Sequence, residues 1–360
     1  MSEPRIRCAI LGASGYIGQH FSRLLADHPS FELPILGSSE RSEGKRLADV
    51  WQLAEPPPPE LAERPLLRTS PAALLRARVR VAFSALPSGT AGPLESAIVR
   101  RGISVFTNAA DHRMDPDVPL LVPEVNADHL RLARRRARGR GLLVANPNCS
   151  TTGLVLALAP LLPLTAPRVV HVSTYQSLSG AGYPGVPSLS ITDNVVPFVH
   201  EEEEKVARES ARILGARRGD RIQRLRTPFL VHCARVATRE GHLEAVTLEA
   251  TRRPSRSELE RAVRSFDPLA GRALPTAPHP PIELRAEPDR PQPIRDRWAG
   301  HPARARGMAV VVGRVRWTPP YLRFFLLSHN AVRGGAGASV LNAELALEEG
   351  LLAPSRPEAE

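Results

Sequence analysis

The sequence predicts an α/β fold in two domains, a parallel-sheet domain followed by an α+β domain. Three observations carry that reading. The 360 residues exceed the ~250 at which one hydrophobic core stops growing, so two cores are expected. Near the start, the apolar run Ile6–Leu11 enters Gly12-Ala13-Ser14-Gly15-Tyr16-Ile17-Gly18 and then the helical spacing Phe21, Leu24, Leu25. Near the middle, Asn146-Pro147-Asn148-Cys149-Ser150-Thr151-Thr152-Gly153 hands over to the apolar run Leu154–Leu162, which places a cysteine at the first turn of a helix.

Strand, glycine turn and helix in that order form the phosphate-binding corner of a Rossmann fold. Gly12 and Gly15 permit the tight turn and a close backbone approach to a diphosphate, Gly18 permits close helix–sheet packing, and the helix start favours the negative charge. The second strand, Phe31–Leu36, runs into Gly37-Ser38-Ser39-Glu40-Arg41-Ser42-Glu43-Gly44-Lys45, where such folds read the adenosine ribose. Glu40 would suit a free 2′-hydroxyl, whereas Ser39, Arg41, Ser42 and Lys45 would suit a 2′-phosphate. Those donors outweigh one carboxylate, so NADP is the expected cofactor. Val79–Ala85, Gly102–Asn108 and Leu142–Ala145 read as further strands that deliver loops to the carboxyl edge of the sheet.

At the start of the Cys149 helix, unpaired N–H groups and the helix dipole are expected to favour the thiolate, the nucleophilic form. Downstream, His171–Tyr175 is strand-like and ends in the glycine-rich loop from Gln176 to Gly185. Val199–Lys205, with four consecutive glutamates, reads by composition as a solvated helix start. Between Phe229 and Val246, two short strands joined by a glycine-containing turn would bring Arg235 near His242. A neutral imidazole can relay a thiol proton, and an arginine can clamp a carboxylate. A zinc site is not expected, because Cys149, His232, Cys233 and His242 lack ligand spacing.

Composition bounds the rest. The net charge of +11 and the Arg131–Arg140 run raise the question of nucleic acid. Arginine is nevertheless spread along the chain, no aromatics interleave with the run, and Leu130, Ala133 and Ala137 mark a helix with one apolar edge. A basic balance suits small anionic substrates instead. Three cysteines make no disulfide framework, Met1–Arg5 has no secretory pattern and no segment is long enough to span a bilayer. A cytoplasmic protein without membrane or nucleic-acid partners is expected. The proline-rich stretches Glu55–Pro71 and Pro254–Pro302 read as surface loops or insertions.

The ordered motifs GASGYIG, SSERSEGK, FSALPSG, HRMDPDVPLLVPEVN, NPNCSTT, STYQSLSGAGYPGVPSL, EEEEK, the Arg235 to His242 spacing and HNAVRGGAGASVLNAEL together resemble the aspartate-semialdehyde dehydrogenase family, in its archaeal and fungal branch, from about Ile6 to Glu349. The resemblance implies an α/β fold of the semialdehyde dehydrogenase type. Its Rossmann domain would span 1–148, completed by a C-terminal helix over 329–350, and a catalytic and dimerisation domain would span 149–328. It also implies a phosphate-requiring, NADP-dependent interconversion of aspartyl phosphate and aspartate semialdehyde by a homodimer or homotetramer. Carried over, Cys149 would be the nucleophile, His242 the acid–base and Gln176 the group that orients the acyl chain. Arg235 would hold the α-carboxylate, Arg113, Asn148 and Lys205 the phosphate, and Glu202 the substrate amine. The cofactor would meet Gly12, Ser14, Gly15, Tyr16, Ile17, Gly18, Ser39, Arg41, Ser42, Lys45, Ser84, Ser179, Gly180, Asn330, Arg333 and Gly334.

The chain departs from the family pattern at Ala234 and Ala237, which flank Arg235-Val236 where Asn and Pro are usual, and at Ser190-Ile191-Thr192-Asp193, where an acid often comes first. Leu274–Pro302 matches no family motif. Alternatives of the same fold are a malonyl-CoA or succinyl-CoA reductase and, less favoured, an N-acetyl-glutamyl-phosphate reductase. An alternative of another class is an inactive NADP-binding paralogue.

Overall fold

The computed structural model describes residues 5–136 and 140–352. Two six-stranded sheets organise it. The first is wholly parallel, in the order Leu67–Arg68, Ile35–Ser38, Cys8–Leu11, Val81–Ser84, Ser104–Thr107, Leu143–Ala145. The chain winds outward in both directions from the central Cys8–Leu11 strand, so the loops converge at its carboxyl edge, the ligand side of such sheets. These short strands are buried throughout their central members, as a sheet covered on both faces requires.

The second sheet is mixed, in the order Phe229–Arg235, Pro167–Gln176, His242–Ala250, Tyr321–Ser328, Val310–Thr318, Ile282–Arg285. Its alternating burial, as in the Gln176 strand, shows one face packed and one face open. The Cys149–Leu158 helix packs on the covered face. Its side chains are apolar nearly all round, and Ser150–Leu158 are all buried. The Glu202–Ile213 helix lies beside it over the Phe229 strand.

The final helix, Gly337–Glu348, is buried over its first ten residues and joins the core of the first sheet through Val340, Leu341, Leu345 and Ala346. A π-helical turn, Val332–Ala336, leads into it. The same core takes in Leu269, Leu274 and Ala277 from the proline-rich stretch, and Thr276 N–H donates to both carboxylate oxygens of Glu344, at 3.1 and 3.0 Å. That stretch is therefore more than surface loop. It contains the Arg256–Arg264 helix and the edge strand Ile282–Arg285, and its prolines punctuate an ordered path between the two cores.

Two other expectations are corrected. The second strand starts at Ile35 and not at Phe31, because Pro34 brings no N–H to a ladder; Phe31 makes only an isolated bridge with Ile6. The two strands between Phe229 and Val246 do not pair with each other. They lie on opposite sides of the Gln176 strand, Phe229–Arg235 parallel to it and His242–Ala250 antiparallel. In the arginine-rich segment, Leu130 and Ala133 are buried as the helical edge requires, while Ala137 lies outside the described residues, as do Met1–Pro4. No helix among the described residues is long and apolar enough to cross a membrane.

Candidate active site

The start of the Cys149 helix is held by its own sequence. Asn148 caps it, with Oδ1 accepting from Ser150 N–H at 2.9 Å and Thr151 N–H at 3.3 Å. This cap fixes Cys149 at the rim of a cleft of about 270 Å³ between the two sheets. Its Sγ lies 3.2 Å from Nε2 of His242.

The thiol is not the thiolate that a helix start alone would favour. Burial, aided by the Glu202 charge, pushes Cys149 up to about 12, against the opposing pull of Arg113, Arg235 and the Ser150 N–H. Desolvation of a charged sulfur outweighs the helix terminus here. Burial, then the Arg235 charge, lowers His242 to about 3. The pair therefore rests as thiol and neutral imidazole. The Ser177 N–H donates to Nδ1 at 3.1 Å, which favours the tautomer with its proton on Nε2, and the Ser177 hydroxyl lies 3.2 Å from the same nitrogen. With the proton on Nε2 the ring donates to sulfur; with it on Nδ1 the ring accepts the thiol proton.

Sheet register supplies the neighbours. Arg235 is opposite Gln176, and His242 is opposite Ser328, with Leu243 opposite Tyr175. Arg235, Gln176, His242 and Ser328 thus form one row across four strands, facing the Cys149 helix. Arg235 donates from Nη1 to Ser177 O at 2.7 Å, and Gln176 Nε2 donates to Ser150 Oγ at 3.1 Å and Glu202 Oε1 at 2.9 Å. Glu202 Oε1 also accepts from Asn148 Nδ2 at 2.8 Å. Arg113 is anchored through Nη1 to Glu209 at 3.0 Å and through Nη2 to Asn108 O at 2.7 Å, while its buried Nε has no hydrogen-bond partner in the protein. Lys205 borders the cleft and pairs with Glu201 at 3.2 Å. Among the described residues, no group of three or more His, Cys, Asp or Glu is gathered as metal ligands.

The nucleotide side of the cleft is the glycine turn. Gly12 has φ +83°, and its N–H and that of Ala13 bond to Gly37 O at 2.9 and 2.8 Å. A Cβ on Gly18 would strike the Gly12 carbonyl, so the turn and helix pack too closely for any side chain there. Ser14 and Gly15 complete the turn, and Tyr16 and Ile17 enter the cleft opposite Ser179, Gly180, Asn330 and Gly334. Asn330 binds the loop together, its Oδ1 accepting from Ser177 Oγ at 3.2 Å and Gly241 N–H at 2.9 Å and its Nδ2 donating to Ser179 Oγ at 2.9 Å. Ser39, Arg41 and Lys45 are exposed and Ser42 half-buried beyond the Ile35–Ser38 strand, while Glu40 leans towards Arg68 at 3.6 Å.

Two expected cofactor contacts are corrected. The Ser84 side chain is fully enclosed, and its carbonyl is used by Asn108 N–H at 3.1 Å, so it shapes the site from behind. Arg333 is also fully buried, its Nη1 and Nη2 donating to the Glu124 carboxylate at 2.6 and 2.8 Å. It holds the π-helical turn that presents Gly334. Sequence reasoning missed Ser88, Asn108, Ser177, Glu209 and Glu240. Only Glu209 carried a signal, since Glu202, Lys205 and Glu209 recur at helical spacing.

Residues 7–133 match the family model described as "Semialdehyde dehydrogenase, NAD binding domain", and residues 158–333 match "Semialdehyde dehydrogenase, dimerisation domain". The chain is 43% identical to an aspartate-semialdehyde dehydrogenase of Archaeoglobus fulgidus, over 97% of this chain and 100% of that one. It is 37% identical to a malonyl CoA reductase (NADP) of Metallosphaera sedula, over 96% of this chain and 98% of that one. A crystal structure of aspartate semialdehyde dehydrogenase with NADP from Candida albicans superposes with a TM-score of 0.85 at 32% identity, over 97% of this chain and 100% of that one. With both family models matched in order and such relatives aligned end to end, the chain belongs to the semialdehyde dehydrogenase family, in its aspartate-semialdehyde dehydrogenase branch.

Proposed function

We propose that the protein reversibly interconverts 4-phospho-L-aspartate and L-aspartate 4-semialdehyde with NADP, through an acyl thioester on Cys149. The observation that carries this is the 3.2 Å approach of Sγ to His242 Nε2 beside a cleft that Tyr16 and Ile17, next to the glycine turn, share with Arg113, Lys205 and Glu202. The steps take up one proton from solvent and need no other reactant. Sulfur attacks the acyl carbon, the carbon–oxygen bond to phosphate breaks, and the thiol proton leaves through His242 towards the departing phosphate. NADPH, when bound, supplies the hydride that reduces the thioester. Collapse then releases the aldehyde and the thiolate, which takes its proton back through His242 once that ring has been reprotonated from solvent.

The chain's residues divide that work. Arg235, tethered by one nitrogen, keeps other donors for the substrate α-carboxylate. Arg113, with an unpartnered Nε, would hold the phosphate with Lys205 and Asn148. Glu202 would meet the substrate amine, and Gln176, fixed to Ser150 and Glu202, would orient the acyl group. The Gly12–Gly18 turn is a cradle that side chains would fill, which suits a diphosphate, and Ser39, Arg41, Ser42 and Lys45 suit a 2′-phosphate.

We further read residues 1–148 with 329–350 as one domain and 149–328 as the other, in a cytoplasmic homodimer or homotetramer. Tyr175, Leu230 and Tyr321, exposed on the open face of the second sheet, and the match to a dimerisation domain support assembly.

The test is NADP reduction with aspartate semialdehyde, with and without phosphate, beside Cys149→Ser. Turnover that needs both phosphate and Cys149 supports the reading. The likeness to a malonyl CoA reductase favours a second reading, and CoA-dependent oxidation of malonate semialdehyde without a phosphate requirement would replace the first with it.

A further inference from the structure

The turn that carries His242 is tied to the nucleotide loop by a contact that the proposed chemistry does not use. Tyr16 is the first residue of the Tyr16–Leu25 helix, directly after the Gly12–Gly15 turn, and its hydroxyl donates to Glu240 Oε1 across 224 positions of sequence. Glu240 is buried, and its other oxygen faces Arg297 Nε at 3.5 Å and His329 Nε2 at 3.8 Å. One residue on, Gly241 adopts φ +95° and donates its N–H to Asn330 Oδ1, and the next residue is His242. Tyr16 is steadied from behind by the His20 ring, edge-on at 5.1 Å, and His20 in turn meets His329 at 5.8 Å. Tyr16 also borders the catalytic cleft. One carboxylate thus joins the phosphate-binding corner of the first sheet to the strand end bearing the acid–base of the second.

We propose that the Tyr16–Glu240 hydrogen bond is a positioning clasp that sets the His242 imidazole against Cys149 relative to the bound nucleotide. This rests on the reading of the cleft as a semialdehyde dehydrogenase site. A buried carboxylate between the two sheets has little freedom, so the hydrogen bond it accepts fixes distance as well as direction. Breaking it frees the 238–241 turn by tenths of an ångström, enough to degrade a sulfur–imidazole contact whose use depends on alignment. The nucleotide cradle is untouched by loss of the hydroxyl, because its grip is backbone and glycine.

The experiment is a double-mutant cycle of Tyr16→Phe, which keeps the ring, and Glu240→Leu, which removes the acceptor. Three quantities are read: kcat, the NADP+ dissociation constant by fluorescence, and the rate of Cys149 alkylation by iodoacetamide in the nucleotide-free protein. Each single variant is expected to lower kcat about tenfold, the size of one charge-assisted hydrogen bond, and to change the alkylation rate severalfold with NADP+ binding within about threefold of wild type. The double variant is expected to match Glu240→Leu, since the hydroxyl then has no acceptor left to lose. Effects that multiply, or singles within about twofold of wild type in both kcat and alkylation, overturn the clasp. A wild-type protein without phosphate-dependent turnover would sink the functional reading instead, and the alkylation cycle would still decide the clasp.

Discussion

Cys149 and His242 stand 3.2 Å apart as two neutral groups, the thiol raised to about 12 and the imidazole lowered to about 3. The same burial drives both shifts, since it disfavours the charged form of either group. Nearby charges then set how easily the thiolate forms. Glu202 opposes it, while Arg113 and Arg235 favour it. Glu202→Gln is therefore expected to speed alkylation of Cys149 by iodoacetamide at pH 8, and Arg235→Ala to slow it, each by about threefold to tenfold. Equal rates in the two variants would show that burial alone governs the sulfur.

Buried neutral histidines also make the fold acid-sensitive. His20 is lowered to about 3, mainly by burial, His242 likewise, and His129 and His329 are lowered for the same leading reason. Below pH 6.5 the unfolded chain protonates these groups and the folded one resists. Their stabilising contribution is thus whole above 6.5 and is lost as pH falls towards the folded values. Each contributes a slope of about 1.4 kcal/mol per pH unit within that window. Urea denaturation between pH 6.5 and 5 is expected to show stability falling with pH, and His20→Asn is expected to flatten the slope by about one proton.

Glu244 has the opposite sign. It lies two residues beyond His242 on the same face of its strand, fully buried, with neither carboxyl oxygen hydrogen-bonded in the protein. Burial, then Glu202, raises it well above the ordinary carboxyl range. The folded state keeps a proton that the unfolded state releases above pH 4.5, so the residue costs stability increasingly as pH rises. Glu244→Gln is expected to stabilise more at pH 8 than at pH 5, the difference growing by about 1.4 kcal/mol per pH unit across the window. A gain independent of pH would mean that the carboxyl is ionised in the folded protein.

These residues also show what could be read from the chain beforehand. The glycine turn and the Cys149 helix start are local patterns of a few residues, so their geometry is written in adjacent positions. Arg235 and His242 were legible as types but not in arrangement. Their meeting across the Gln176 strand depends on a parallel pairing on one side and an antiparallel pairing on the other, which spacing does not encode. Arg333 entered as a cofactor contact through the family resemblance alone. Its partner Glu124 is 209 positions away, and only the docking of the last helix brings them together.

In the proposed reading, cofactor choice rests on an exposed patch, and so is separable from the fold. Arg41 and Lys45 carry the positive charge beyond the Ile35–Ser38 strand, whereas Glu40 already has Arg68 for company at 3.6 Å. The double substitution Arg41→Ala with Lys45→Ala is expected to weaken NADP+ binding by about tenfold or more and to leave NAD+ binding within about twofold, as loss of charged hydrogen bonds to a 2′-phosphate alone would do. Fluorescence titration with both nucleotides reads it. Equal losses for the two would place these residues away from the ribose.

Two glycines at the cleft predict different failures from the same added methyl group. A Cβ on Gly180 would meet Arg235 Nη1 at 2.7 Å and His242 Cε1 at 3.0 Å. The first is the end of a flexible side chain, which can move, and φ at this position is not in the left-handed region, so Gly180→Ala should fold. With Arg235 and His242 in their proposed roles, moving the arginine and crowding the imidazole are expected to raise KM for the semialdehyde and lower kcat, each by about tenfold, with the thermal midpoint nearly unchanged. A Cβ on Gly334 would instead meet Cys149 Cβ at 2.6 Å and Cα at 2.8 Å. That contact is backbone on the capped helix, and on the other side the Arg333–Glu124 pair pins the turn, so neither wall can give. Gly334→Ala is expected to lower stability by about 1–3 kcal/mol, as overpacking does, together with activity. A Gly334→Ala protein as stable as wild type would show that the π-helical turn can shift away from the nucleophile.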